Sequence, residues 1–138
     1  MILLPHHISR TFIQQHRELI FIYSQDYHAK GCFGQAWSGH GEPNAFPVPV
    51  LLKVCLSQTD RWFSDRQFDE HKKLIDEKIA AIPRDGRAIV MFRSIGKGHS
   101  EMHLRAPKLY KYLMDELNAI CSPHEYDYRG LTYPIYGS

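Results

Sequence analysis

The stretch Leu19-Ile20-Phe21-Ile22-Tyr23 decides the fold, together with its counterpart Ala88-Ile89-Val90-Met91-Phe92. Both are continuous apolar runs rich in β-branched and aromatic residues, which is typical of strands buried on both faces of a parallel sheet. A glycine-bearing segment follows each run, at residues 30–36 and 94–100. Loops that leave the carboxyl ends of parallel strands meet in one crevice, where α/β proteins bind ligands. We therefore expect both glycine loops at one edge of a parallel sheet.

Two segments connect the first strand to the rest of the chain. Residues 25–45 predict a long loop, with one helical turn near Gln35-Ala36-Trp37. A loop of this length in a compact domain is more often functional than idle. Residues 46–54 then predict a second extended segment. Because Pro47 and Pro49 each lack a ladder donor, this segment should start at a sheet edge or enter the sheet late.

Two amphipathic helices are predicted in the second half. Ser64 and Gln67 fit a capping box that starts the first helix, and Pro83 ends it. Pro107 suits the first turn of the second helix, which ends at residues 122–123. Apolar residues recur at helical spacing in both segments. In the first they are Phe68, Leu74 or Ile75, Ile79 and Ile82, and in the second Leu109, Leu113, Leu117 and Ile120.

This order of elements predicts an α/β domain with three layers, a mostly parallel sheet and glycine-rich loops at the strand carboxyl ends. Residues 1–138 should form a single domain, since this length is usual for one hydrophobic core. Residues 1–17 are expected to be irregular, and an edge strand or a short helix there stays open. Residues 122–138 form a tyrosine-rich tail that could pack across the domain or contact a partner.

Composition excludes several classes of protein. The net charge is only +2 with neutral histidines, so no strong nucleic-acid or membrane footprint is present. The three cysteines, Cys32, Cys55 and Cys121, are widely spaced, which predicts reduced thiols in a cytosolic protein. No apolar run approaches the roughly 20 residues that span a bilayer. We expect a cytoplasmic protein without membrane contact.

The 94–100 loop carries the first set of candidate ligand-binding residues: Gly96, Lys97, Gly98, His99 and Ser100. Glycines can adopt positive φ and turn backbone N–H groups toward an anion. Lysine and histidine add positive or polar side chains, and the following helix would offer the positive end of its dipole. A plain strand-to-helix turn is the alternative reading, because glycines are common there. Phosphate binding is the functional prediction.

The first loop carries the second set: Lys30, Gly31, Gly34, Gln35 and Asn44. Its glycines, lysine and amide side chains could wrap a phosphate or a ribose. Each of the two loops therefore supplies one lysine and flexible backbone. Together they predict a phosphate-bearing small-molecule ligand.

Other residues of this region carry weaker signals. Trp37 could stack on a base, but a partly buried loop anchor is the favoured reading. Cys32 invites a nucleophile reading with His28 or His40 as base, yet nothing in the spacing shows that either histidine comes within reach. The sequence assigns no catalytic residue. No metal-ligand spacing appears, so neither a metal nor a cofactor is expected.

At these residues the chain resembles a family of small, mostly uncharacterised bacterial and phage proteins. The resemblance covers roughly residues 20–118 and leaves the first 17 residues and the tail outside. The resembling stretches are Lys30-Gly31-x-x-Gly34-Gln35-Ala36, Pro43-Asn44-Ala45-Phe46-x-Val48-Pro49, Phe63-Ser64-Asp65, and Ile95-Gly96-x-Gly98-x-Ser100 leading to Ala106-Pro107. More distantly, the plan resembles macrodomains, whose two glycine-bearing loops hold the phosphates of ADP-ribose. This second resemblance implies an ADP-ribose-type ligand, although residues 31–36 lack the asparagine-rich, triple-glycine loop typical of macrodomains.

Three functions follow from these patterns. The first is binding of a nucleotide or ADP-ribose-type ligand, with hydrolysis left open. The second is a phage-type inhibitor or interaction protein that binds a host defence or replication protein; the tyrosine-rich tail favours it, and a homodimer is a related alternative. The third, single-stranded nucleic-acid binding through Trp37 and Trp62, is weakest because basic residues do not cluster.

Overall fold

A computed structural model describes residues 8–29, 35–52, 61–92, 95–97 and 100–121. Three parallel strands form a sheet with the order β2-β1-β3. The strands are β1 (Leu19–Asp26), β2 (Ala45–Leu51) and β3 (Ala88–Met91). The helices are α1 (Arg10–Gln15), α2 (Gln35–Gly39), α3 (Phe68–Ala80), α4 (Met102–Arg105) and α5 (Pro107–Ile120), and a 3-10 turn at Asp65–Gln67 precedes α3. The predicted α/β class and parallel sheet are confirmed.

Strand β1 is the centre of the molecule. It pairs with β2 from Phe21 to Asp26 and with β3 from Leu19 to Ile22. Its residues 19–23 are almost fully buried, as the continuous apolar run predicts. The pairing with β3 stops two residues before Ser24, so among the described residues the carboxyl end of β1 has β2 on one side and no continuing ladder on the other.

Strand β2 lies at one edge of the described sheet, and its prolines fit that position. Phe21 N donates to Asn44 O over 2.8 Å, which directs the N–H groups of Phe46 and Val48 toward β1. The alternating residues, Pro47 and Pro49, then turn their nitrogens away from β1, where no ladder donor is needed. The prediction of an edge strand is confirmed. The last residues of the predicted segment, 53 and 54, lie outside the described residues.

Within the first 17 residues, which the sequence predicts to be irregular, the structure has a helix. Ser9 Oγ accepts a hydrogen bond from Phe12 N over 3.0 Å and caps α1. Phe12 and Ile13 are fully buried, and the Phe12 ring packs edge-on against Phe21 of β1 at 5.8 Å between centroids. Of the two open readings for this segment, the short helix forms at Arg10–Gln15, and residues 1–7 lie outside the described residues.

The predicted capping box at Ser64 and Gln67 does not form. No side-chain cap bond is made there, and α3 begins only at Phe68. Ser64 instead donates its backbone N–H to Nδ1 of the buried His71 over 3.2 Å. Burial lowers the pKa of His71, which keeps that nitrogen free to accept. The tertiary contact replaces the local cap.

The predicted helical stripes pack against the core, although Phe68, Leu74 and Ile120 are only half-buried. Leu109, Leu113 and Leu117 of α5 are fully inaccessible, and Pro107 occupies the first turn. Helices α3 and α5 pack against each other, with the Phe68 and Tyr112 rings 6.1 Å apart. Within the described residues, no helix combines the length and the apolar composition that crossing a membrane requires.

The strand order creates one topological switch point. The chain moves from β1 to β2 on one side, and then crosses back over β1 to reach β3 on the other. The two crossovers run in opposite directions, and the right-handed rule predicts α2 and α3 on opposite faces of the sheet. The order reverses between β1 and β3, and ligands of open α/β sheets bind outside the strand carboxyl ends at such a reversal.

Candidate ligand-binding site

Ser24 lies where β1 and β3 separate, and it connects the two loops. Its N–H is on the edge of β1 that faces β3, because Phe92 N donates to Ile22 O two residues earlier, over 2.9 Å. With the ladder ended, Ser24 N donates instead to Oε1 of Gln35 over 2.7 Å. Ser24 Oγ accepts from Gly96 N over 3.3 Å. One serine therefore holds both Gln35 of the first loop and Gly96 of the second at this edge.

The sequence-based prediction missed Ser24. Its only signal is a hydroxyl directly after the apolar run of β1, which by itself is unremarkable in a strand. Ser24 can contact both loops only because the pairing of β1 with β3 ends before it. The length of that pairing cannot be predicted from the sequence of either strand alone.

Gly96 is held in the left-handed conformation at the second loop, with φ +77°. A Cβ at this position would lie 2.7 Å from the Tyr110 ring, so close approach to α5 also requires glycine. Gly96 O accepts from His103 N over 3.4 Å, and the His103 ring Nδ1 lies 3.3 Å from the same oxygen. Burial raises the pKa of Tyr110, so its phenol stays neutral beside this turn. Both α4 and α5 thus brace the loop.

The amino end of α5 is already occupied by a carboxylate. Asp65 Oδ1 accepts from Leu109 N over 2.9 Å, and Asp65 Oδ2 accepts from Lys108 N over 3.0 Å. Its negative charge meets the positive end of the helix dipole. The expectation that this helix end would face a phosphate is therefore wrong, because Asp65 fills the position an anion would take.

Asn44 lies at the opposite edge of the sheet, at the amino end of β2. Its Nδ2 donates to the backbone oxygens of Ile13, His16 and Leu19 over 3.0–3.2 Å. Arg17 donates to its Oδ1. Asn44 therefore ties α1 to the sheet, and it is not brought together with Gln35 and Gly96.

Glu42 strengthens the same amino-edge connection. The buried carboxylate accepts from Arg10 over 2.7 Å, from Arg17 over 3.0 Å and from Gln14 over 3.1 Å. The Arg10 hydrogen bond, above all, lowers the pKa of Glu42. A buried carboxylate with three donors is a satisfied structural group, and it explains why Arg10, Gln14 and Arg17 are polar.

The remaining predicted site residues are distributed as follows. Lys97 is exposed beside Gly96, and Ser100 is buried three residues further on. The other five lie outside the described residues: Lys30, Gly31, Gly34, Gly98 and His99. The structure thus brings Gln35, Gly96 and Lys97 to one edge through Ser24.

One alternative reading of this region changes, and the other falls outside the described residues. Trp37 is 69% exposed on α2, which contradicts the favoured prediction of a partly buried anchor. Cys32 lies outside the described residues, and His40 Nδ1 is 3.4 Å from Gln25 Oε1.

Partial burial raises the pKa of the free Cys121 thiol to about 11, so that thiol is protonated at neutral pH. Across the described part of the chain, no three metal-ligating side chains cluster.

The chain matches the family of unknown function DUF7831 over residues 3–116, and it belongs to that family. No curated protein and no solved structure matches it. The family match begins at residue 3, so it includes most of the N-terminal segment that the resemblance noted from sequence excludes. This correction agrees with α1, whose Phe12 and Ile13 belong to the core.

Proposed function

We propose that this protein binds a phosphate-bearing small molecule, a nucleotide or an ADP-ribose-type ligand, at the carboxyl edge between β1 and β3. The observation that carries the proposal is Ser24, which hydrogen-bonds Gln35 and Gly96 at the topological switch point. Such switch points are where open α/β sheets bind their ligands. The two glycine-bearing loops would hold the phosphates between them, in a macrodomain-like arrangement.

Each residue has a separate part in this proposal. Ser24 fixes the two loops relative to each other and keeps its own O–H as a donor, since its Oγ accepts from Gly96. Lys97 supplies a positive charge that makes no ion pair with the described residues. Gly31, Gly34 and Gly98 would let the backbone N–H groups of the loops come close to the phosphate. Asp65 already neutralises the amino end of α5, so the phosphate charge must be met by side chains and loop N–H groups instead.

The direct test has two parts. Purified protein is denatured and its supernatant is analysed by mass spectrometry for a released nucleotide. Calorimetric titration then measures the affinities of ADP-ribose, ADP and AMP. The decisive variant is Lys97→Ala, which removes an exposed charge beside Gly96 without touching the core.

We expect Lys97→Ala to weaken the affinity for ADP-ribose about ten-fold, the size of one lost charge-assisted hydrogen bond. Its melting temperature should stay that of the wild type. Lys73→Ala is the matched control, because Lys73 is also exposed but lies in the middle of α3. If the wild-type protein carries no nucleotide and binds none of the three ligands, the proposed function is wrong.

An interaction protein is the second candidate, and two exposed side chains favour it. Trp37 and Leu104 are 69% and 67% exposed, and large apolar residues of this kind often anchor protein interfaces. In this candidate the partner is a host protein of the kind a phage inhibitor would block. It gains support if Trp37→Ala abolishes capture of one identified host protein while leaving the melting temperature unchanged. Ligand titrations without binding would point the same way.

A further inference from the structure

Two arginines stack on one tryptophan away from Ser24. The Arg105 guanidinium carbon lies 3.7 Å from the centroid of the Trp62 ring, and the Arg61 guanidinium carbon lies 4.8 Å from it. Trp62 and Arg61 precede the 3-10 turn, whereas Arg105 ends α4. Two like charges are thus held against the same indole by segments far apart in the sequence.

This arginine–tryptophan cluster (Arg61, Trp62 and Arg105) lies at the carboxyl edge of the sheet. Leu52, just after β2, donates its N–H to Arg61 O over 2.9 Å. On the other side, His103 of α4 donates its N–H to Gly96 O of the second loop over 3.4 Å. Arg105 is only two residues after His103, so it lies near the same edge. The cluster therefore shares an edge with the candidate site but uses none of its residues.

The positive charge of the cluster is poorly neutralised. The Nε of Arg61 is buried and finds no acceptor within the described part of the protein. Arg105 has one carboxylate contact there, with Glu101 at 3.8 Å, and both side chains are more than 40% exposed. Two guanidinium groups held against one indole ring repel each other, and an anion that contacts both would reduce this repulsion. Stacking on an aromatic ring also fixes a guanidinium plane while leaving its N–H edge free for an oxyanion.

We propose that Arg61 and Arg105 form a second anion site whose ligand is a phosphate group. A guanidinium group can donate two parallel N–H hydrogen bonds to two phosphate oxygens. Stacking on the indole ring already fixes the plane from which those bonds are donated. The phosphate has two sources: the distal phosphate of the nucleotide in the candidate site, or a separate phosphate ion. The site stands on its own contacts and does not require that the proposed nucleotide binding be correct.

Trp62 provides the readout for the test. The chain has two tryptophans, so Trp37→Phe leaves Trp62 as the single emitter at the cost of one exposed ring. Pyrophosphate and inorganic phosphate are titrated into this variant at constant ionic strength while Trp62 emission is followed. Arg105→Ala, Arg105→Lys and Arg61→Ala are made in the same background. Arg84→Ala is the control, because Arg84 is exposed before β3, at the opposite edge.

We expect a saturating emission change with pyrophosphate in the parent and at least about ten-fold weaker affinity in Arg105→Ala, as for loss of a charge-assisted pair. Arg105→Lys should recover only part of the affinity, because lysine keeps the charge but loses the planar fork. Arg84→Ala should bind like the parent. Since Arg105 is exposed, Arg105→Ala tests the site even if Arg61→Ala fails to fold.

Two results would overturn the site: no saturable response of the parent up to about 10 mM pyrophosphate, which corresponds to negligible affinity, or unchanged affinity in Arg105→Ala. A comparison of ADP with AMP identifies the source of the phosphate. Weaker binding of ADP but not of AMP by Arg105→Ala assigns the site to a distal phosphate. Weaker binding of pyrophosphate alone assigns it to a separate ion. If the wild-type protein binds ADP-ribose but Arg105→Ala leaves the affinity for pyrophosphate unchanged, the proposed function is supported and this second site is wrong.

Discussion

At the carboxyl edge, the role of a single residue cannot be predicted from its residue type alone. Ser24 satisfies a backbone N–H through Gln35 because β3 stops too early to accept it. An unpaired N–H in the interior of a sheet would otherwise be costly. The Oγ of the same serine accepts from Gly96 N, so the backbone and the side chain of one residue each contact one of the two loops.

Gly96 gives a stability prediction at the residue scale. Gly96→Ala should lower the free energy of unfolding by about 2–4 kcal/mol, the sum of left-handed strain and overlap with the Tyr110 ring. Gly86→Ala is the matched control: Gly86 also has positive φ, but nothing lies within 4 Å of its added Cβ. It should cost only about 1–2 kcal/mol. Urea denaturation of both variants measures the difference.

The overlap is tested separately by repeating Gly96→Ala in a Tyr110→Ala background. Without the ring, the cost of the added methyl group should fall to that of Gly86→Ala, because only the backbone strain remains. Equal costs of Gly96→Ala in the two backgrounds would show that Tyr110 does not set the requirement for glycine.

At the scale of elements, Asp65 links the start of α3 to the start of α5. Asp65→Ala should lower the free energy of unfolding by about 1–2 kcal/mol, because two helix N–H groups lose their acceptor and the dipole loses its countercharge. Ser64→Ala should cost less than about 0.5 kcal/mol, since Ser64 makes no side-chain cap bond. Thermal and urea unfolding of the two variants measure the difference. A larger loss of stability in Ser64→Ala than in Asp65→Ala would show that Ser64 does cap the helix.

This pair also shows where prediction from sequence succeeds. Pro107 and the leucine stripe of α5 are local signals, and the helix forms where they place it. The capping box at Ser64 is a local signal too, yet it loses to a buried histidine and to a helix 43 residues away. Caps are weak enough, at about 1 kcal/mol, for tertiary contacts to override them.

At the scale of the whole molecule, the order of strands and helices follows from the sequence, but the assignment of residues to edges does not. Asn44 shows the reason. In the sequence it lies eight residues after the end of the first glycine loop, and only the return of the chain through α2 reveals that it lies at the amino edge. Gln35, which precedes that return, stays at the carboxyl edge. A site drawn from both residues therefore mixes two ends of one sheet.

The tail gives the last prediction. The buried core of the described residues runs from Ile8 to Leu117, and the family match ends at residue 116. Truncation after Ser122 should therefore lower the melting temperature by less than about 4 °C, which corresponds to at most about 1 kcal/mol in a domain of this size. The four tyrosines that are removed suit an interface that is partly wet, so association with a second copy or with a partner should weaken. Light scattering and calorimetry on the full chain and the truncated chain measure both properties. A large fall in melting temperature with unchanged association would make the tail a structural strap, because its rings would then be contributing to the chain's own stability.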